Sequence, residues 1–142
     1  MQKTTKFFNN VQRNWYLVDA KDKILGRLSR NIARILQGKH KPCYSPNFLC
    51  GDYVIVINSR YIKLTGKKSE EKIYDKYSGY PDGRREMTFR ELSRKNPSKI
   101  LYFAIKGMLP KTRLGKRMLR MLKIYPDDKH SHQAQKPQKI EL

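Results

Sequence analysis

An α/β domain with a parallel sheet component is the fold class this chain predicts, and three observations carry that reading. The aromatic and β-branched run Trp15–Ala20 is followed by a helically spaced segment and then by the run Tyr53–Asn58, a strand, helix, strand order. The second run, Tyr53-Val54-Ile55-Val56-Ile57, is apolar on both faces, as a central strand covered on both sides must be. The chain has 142 residues, a single-domain length, at which a compact fold buries roughly 68–70% of its unfolded surface.

The elements follow in order. Residues 1–12 read as a flexible basic arm, and they lack the apolar stretch of a secretory signal. The strand at Trp15–Ala20 ends at polar Lys21-Asp22-Lys23. Ile24 to Gln37 reads as a helix, because Leu25, Leu28, Ile32 and Ile35/Leu36 recur at three-to-four spacing. Arg27, Arg30 and Arg34 share that spacing on another face, and Gly38 is a stop. A basic loop, Lys39-His40-Lys41-Pro42, leads to Gly51-Asp52 and the second strand. Ile62–Gly66 reads as a short strand and turn.

Ile73–Tyr80 has no clean period and reads as an extended arm, closed by the turn signature Pro81-Asp82-Gly83. Thr88 and Glu91 make a capping-box pattern, so a short helix runs to Lys95. Asn96-Pro97 opens another helix, Ser98 to Leu109, ended by Pro110. Residues 113–125 read as a last helix ended by Pro126, and 127–142 as an extended C-terminal strap. The chain thus divides into an arm (1–12), one domain (13–126) and a tail (127–142).

Charge narrows the function. Thirty-two Lys and Arg face 12 Asp and Glu, a net +20. Such a balance repels itself unless an anionic partner neutralises it. No apolar run approaches the ~18 residues of a membrane span. Two cysteines, Cys43 and Cys50, do not make a disulfide scaffold and suit a reducing compartment. On a helical wheel the last helix separates Leu114, Met118, Met121, Leu122 and Tyr125 from Arg113, Lys116, Arg117, Arg120 and Lys123. Solvated basic faces normally interleave Glu with Lys, and this one does not. A membrane surface could recruit such a helix, but its apolar side has no Trp or Phe and its flanks stay basic. Lys106 and Lys111 extend this acid-free basic run toward the N-terminus, and further cations at Arg27/Arg30/Arg34, Lys39/Lys41, Lys67/Lys68, Arg84/Arg85 and Arg94/Lys95 suit wrapping a folded polyanion, while Tyr74, Tyr77 and Tyr80 could stack on unpaired bases.

Enzyme readings fare poorly. Thr65-Gly66-Lys67-Lys68-Ser69 fails as a phosphate loop: Tyr61 stands where a glycine is needed and Lys68 where Ser or Thr is needed. His40, Cys43 and Cys50 lack zinc-site spacing, as does His130-Ser131-His132. Acidic residues are scattered, against a paired-carboxylate site or a magnesium cluster. No metal, cofactor or small-molecule substrate is expected.

These residues resemble the universal large-subunit ribosomal protein L-thirteen family of bacterial and organellar type. The resemblance runs from Trp15–Ala20 and Leu25-Gly26-Arg27-Leu28 through Gly38-Lys39-His40-Lys41, Gly51–Asn58 and Thr65–Lys68. It is strongest at Lys106-Gly107-Met108-Leu109-Pro110-Lys111, and continues through Leu114-Gly115-Lys116, Leu122–Tyr125 and His130–Pro137. The chain departs from the pattern at Thr112-Arg113, where the family has Gly-Pro, and in the 77–83 segment.

The resemblance implies a three-layer α/β/α domain with a central, mostly parallel sheet, extended basic arms and a C-terminal strap. It implies binding to large-subunit (23S-type) rRNA, a role early in subunit assembly, neighbouring ribosomal proteins as partners, and no catalysis. The expected contacts are Arg27, Arg30, Arg34, Lys39, His40 and Lys41, then Lys67, Lys68, Lys106 and Lys111. Arg113, Lys116, Arg117, Arg120, Lys123, His130 and His132 complete them. The expected location is the large subunit in a bacterial cytoplasm or an organelle, and the Lys-, Asn- and Tyr-rich composition suits a plastid. An RNA chaperone outside the ribosome and an RNA-modifying enzyme are the alternative readings.

Overall fold

The computed structural model describes residues 11–142, so the arm expected over 1–12 lies outside the described residues except for Val11 and Gln12. In chain order the elements are β1 (Trp15–Asp19), α1 (Leu25–Gln37), β2 (Tyr53–Ile57), α2 (Lys68–Glu71), β3 (Ile73–Tyr77) and β4 (Arg84–Thr88). They continue with α3 (Phe89–Lys95), α4 (Pro97–Met108), α5 (Arg113–Arg120), β5 (Leu122–Ile124) and β6 (Gln138–Ile140). The central sheet has the order β5-β2-β1-β6, every pair parallel, with helices flanking it. The expected α/β class is therefore the observed one.

The β1–α1–β2 unit organises the rest. Trp15 pairs with Tyr53 and Asp19 with Ile57, and α1 makes the crossover between them. Val54, Ile55 and Val56 are fully buried, as their two-sided apolar pattern requires. Leu28, Ile32 and Leu36 of α1 pack with Val18, Val54 and Val56, with Leu101 and Ile105 of α4, and with Met118 of α5. Each fully buried side chain of this size contributes about 1.5–3 kcal/mol by leaving water. Gly38 ends α1 in the left-handed conformation (φ 77°) and donates to the carbonyls of Arg34 and Ile35. Thr88 and Glu91 form the full capping box of α3.

Four expectations are corrected. The last helix stops at Arg120, and residues 122–124 become β5, pairing Val54↔Leu122 and Val56↔Ile124. The open edge of β2 offers those residues hydrogen bonds that a longer helix would leave unmade. Lys123 therefore sits on a strand and not on the basic face of α5. Residues 73–88 fold back as the antiparallel β3–β4 hairpin, with Tyr77 opposite Arg84. Ile62–Gly66 forms no regular strand. Lys63 makes a single bridge with Ile24, and its carbonyl accepts the Leu25 N–H at 3.0 Å. That contact stands in for the side-chain cap α1 lacks. Asn96, placed as the cap of α4, makes no side-chain cap bond, while Pro97 does open that helix. In the tail, Gln138–Ile140 pairs parallel with β1 from Tyr16 to Val18.

Candidate nucleic-acid interface

Helix α5 is fixed to the core by its own sequence. Thr112 caps it, its hydroxyl accepting from the Gly115 N–H at 3.2 Å. A Cβ at Gly115 would lie 1.8 Å from the Pro110 carbonyl oxygen, so only glycine allows the helix to fold back against the 109–112 elbow. Met118 is buried beneath it, while Arg113, Lys116, Arg117 and Arg120 are exposed. There is no acidic residue in the first turn, and a cation occupies the first position. The positive end of the helix dipole is thus left uncompensated.

Helix α1 packs on α5 and on α4, and presents Arg27, Arg30 and Arg34 to solvent. Lys39 is exposed beyond its end, and Lys67 and Lys68 are exposed at the start of α2. Lys106 and Lys111 flank the α4–α5 elbow. Among the described residues, no carboxylate lies within ion-pair distance of any of these cations. The ion pairs that do form hold other residues: Lys63–Asp22, Arg60–Asp127, Arg84 with Asp75 and Glu86, and Arg90–Glu70. Positive charge is therefore unneutralised where the sequence reading placed the contacts of α1 and α5.

His40 and Lys41 are engaged by the protein's own carboxylate, His40 from an exposed position and Lys41 from a half-buried one. Asp52 is completely buried at the start of β2. One carboxylate oxygen accepts from Lys41 Nζ at 2.5 Å and from the Asn14 N–H at 2.8 Å, and the other meets His40 Nε2 at 2.8 Å. Lys41 also donates to the Gln12 carbonyl at 2.8 Å. This cluster pins the basic 39–41 loop to both central strands. His130 and His132 are half-buried: His132 lies 5.5 Å from the Trp15 ring and 5.9 Å from Tyr125, and Trp15 stacks on Tyr53 at 4.2 Å. Lys123 is half-buried on β5.

The tyrosines divide. Tyr74 is half-buried against Phe103, 6.0 Å between centroids, with Lys72 5.3 Å over its ring. Burial raises its hydroxyl pKa above the ordinary value, and that hydroxyl has no hydrogen-bond partner. Tyr77 and Tyr80 are 66% and 75% exposed at the hairpin end, where aromatic faces are free to stack. Two features were missed in the sequence. Asp52 gives no local signal, because His40 and Lys41 stand at the far end of the α1–β2 connection and Asn14 precedes β1. A groove between α4 and α5 joins Lys106, Lys111 and Lys116 around an apolar floor.

Among the described residues no group of three or more His, Cys, Asp or Glu is placed to hold a metal ion. Both cysteines are free thiols, and Cys50 Sγ donates to the Cys43 carbonyl at 3.2 Å. No helix among these residues is long and apolar enough to cross a membrane.

A parallel α/β core that carries unpaired cations on two packed helices is the class of protein that presents an unneutralised basic surface. The family model described as Ribosomal protein L13 matches residues 13–131. A protein of Dictyoglomus thermophilum named large ribosomal subunit protein uL13 is 52% identical over 132 residues, covering 93% of each chain. Relatives of the same name from Thermotoga maritima and Symbiobacterium thermophilum are 51% and 50% identical. They cover 100% and 94% of this chain, and 96% and 93% of their own. The chain belongs to the ribosomal protein L13 family, a family of structural, non-enzymatic components.

Proposed function

We propose that the chain is a structural constituent of the large ribosomal subunit, binding 23S-type rRNA through the exposed cations of α1, α5 and the α4–α5 elbow. The observation that carries this reading is the set of unpaired cations on helices packed against one rigid core. Neutralising closely spaced phosphates lets rRNA segments approach one another, which is how such a protein helps early subunit assembly. Counterion release drives the binding, and shape and 2′-hydroxyl contacts give it selectivity. Neighbouring large-subunit proteins are its other partners. The relatives described above are bacterial, which favours a bacterial ribosome over a plastid one.

The test is the salt dependence of binding to a large-subunit rRNA transcript, beside sedimentation of lysate. Contact with ~6–10 phosphates weakens affinity ~10³–10⁵-fold between 50 and 200 mM salt. The chain should also sediment with the large subunit in high salt. A flat salt response would contradict the phosphate-driven binding, and a chain that leaves the subunit in high salt would favour an RNA chaperone outside the ribosome.

A further inference from the structure

The groove at the α4–α5 elbow has a composition that phosphate binding alone does not explain. Its volume is about 370 Å³, near the lower end of the ~300–1,000 Å³ of small-ligand sites. Phe103, Leu109, Pro110 and Leu119 line it, and Lys106, Lys111 and Lys116 surround them, with no carboxylate. Phe103 is 42% exposed, and its ring lies 6.0 Å from Tyr74 (tilted) and 5.9 Å from Tyr102 (edge-on), measured between centroids. Its neighbours restrain the ring while leaving part of it exposed in the lining of the groove.

The two glycines of the groove differ in a telling way. Gly115 is required by the fold, as the Pro110 contact shows. Gly107 is not: it lies within α4, outside the left-handed region, and a Cβ there would meet nothing within 4 Å. Glycine in a helix is less favourable than alanine. The fold alone therefore favours a side chain at this position, and its absence leaves α4 backbone open to close approach from the groove side.

We propose that this groove receives one unpaired nucleotide of the bound rRNA, its base stacked on Phe103 and passing over Gly107. The adjoining phosphates lie on Lys106, Lys111 and Lys116. This rests on the rRNA-binding reading above. A nucleotide carries a flat apolar face and a negative charge in one repeating unit, which matches an apolar floor inside a ring of ammonium groups. A protein segment would need carboxylates on every side of an apolar residue to match the same surface.

The experiment uses the full chain and a large-subunit rRNA transcript. Gly107→Leu fills the groove with a good helix former, so its melting temperature should hold or rise while affinity falls about 5- to 150-fold. Phe103→Ala should lose affinity by a similar factor with an unchanged salt slope, and Phe103→Trp should restore it. Lys111→Ala should instead lower the salt slope by about one. If folded Gly107→Leu and Phe103→Ala bind the transcript like wild type, the groove holds no base and the proposal fails, while a steep wild-type salt response leaves the rRNA reading standing. The same variants binding the transcript normally but entering subunits poorly would assign the groove to a protein neighbour and overturn the proposal. A wild-type chain without salt-dependent binding overturns both readings.

Discussion

Replacing Asp52 by alanine tests whether one buried carboxylate holds the basic loop to the sheet. Asp52 is wholly buried, whereas the Lys41 and His40 side chains are 15% and 32% exposed. Removing one partner of a buried ion pair costs about 3–5 kcal/mol. Lys41 and His40 regain part of their hydration through their exposed portions, which places the ion-pair loss near the lower end, roughly 3 kcal/mol. The Asn14 N–H also loses its acceptor, about 1 kcal/mol more. Against a domain stability of about 5–15 kcal/mol this is a large fraction. It corresponds to a melting temperature lowered by roughly 10 °C for a chain of this size. Asp52→Asn keeps an acceptor for Asn14 but loses the charge, so it should fall between. Thermal melts by circular dichroism read both variants. An Asp52→Ala protein melting within about 2 °C of wild type would show that the cluster contributes no net stability.

The other predictions concern the interface, the elbow and acid. Arg117→Glu with Arg120→Glu should weaken rRNA binding and subunit incorporation while the fold stays intact, since both residues are exposed. Met118→Glu, at a 2% exposed position, should damage the fold itself, by several kcal/mol. Melts beside filter binding separate these outcomes. Gly115→Ala should destabilise by about 1–3 kcal/mol, because its Cβ would meet the Pro110 carbonyl oxygen at 1.8 Å; an unchanged melt would contradict the packing described. Burial raises the Asp19 carboxyl pKa, but the Lys21 N–H, the Asn58 side chain and the charges of Lys139 and Lys21 outweigh it and hold the group below its ordinary value. A carboxylate so lowered contributes stability above its unfolded value of about 3.9, and loses it as pH falls through the folded value. Asp19→Asn should therefore flatten the acid side of a melting-temperature profile, and an unaltered profile would remove Asp19 from the account.

Local signals were the legible ones. Helix α1 could be placed because five apolar residues share one face and Gly38 ends it, and α3 because Thr88 and Glu91 mark its first turn. The exposed stripe Arg113, Lys116, Arg117 and Arg120 followed from the wheel alone. Residues 121–125 misled for a physical reason: Met121, Leu122 and Tyr125 continue the helical stripe of Leu114 and Met118, although 122–124 form a strand. The open edge of β2 decides between them, and that edge is far away in sequence. The β3–β4 hairpin was hidden because most of its residues are exposed on both faces, which leaves no alternation to detect. The engagement of Lys41 and His40 was hidden because Asp52 reaches them only after the chain has turned back into the sheet. The groove was hidden for the same reason, being formed by two helices and the elbow between them.

On the function proposed above, the unpaired cations of α1, α5 and their elbow lie against rRNA. Ultraviolet crosslinking of intact large subunits, followed by mass spectrometry of nucleotide-bearing peptides from this chain, tests it most directly. Adducts are expected on peptides containing Arg27–Arg34 and Lys106–Arg120. Adducts confined to the ion-paired outer face of the β3–β4 hairpin, with those two segments clean, would contradict that placement.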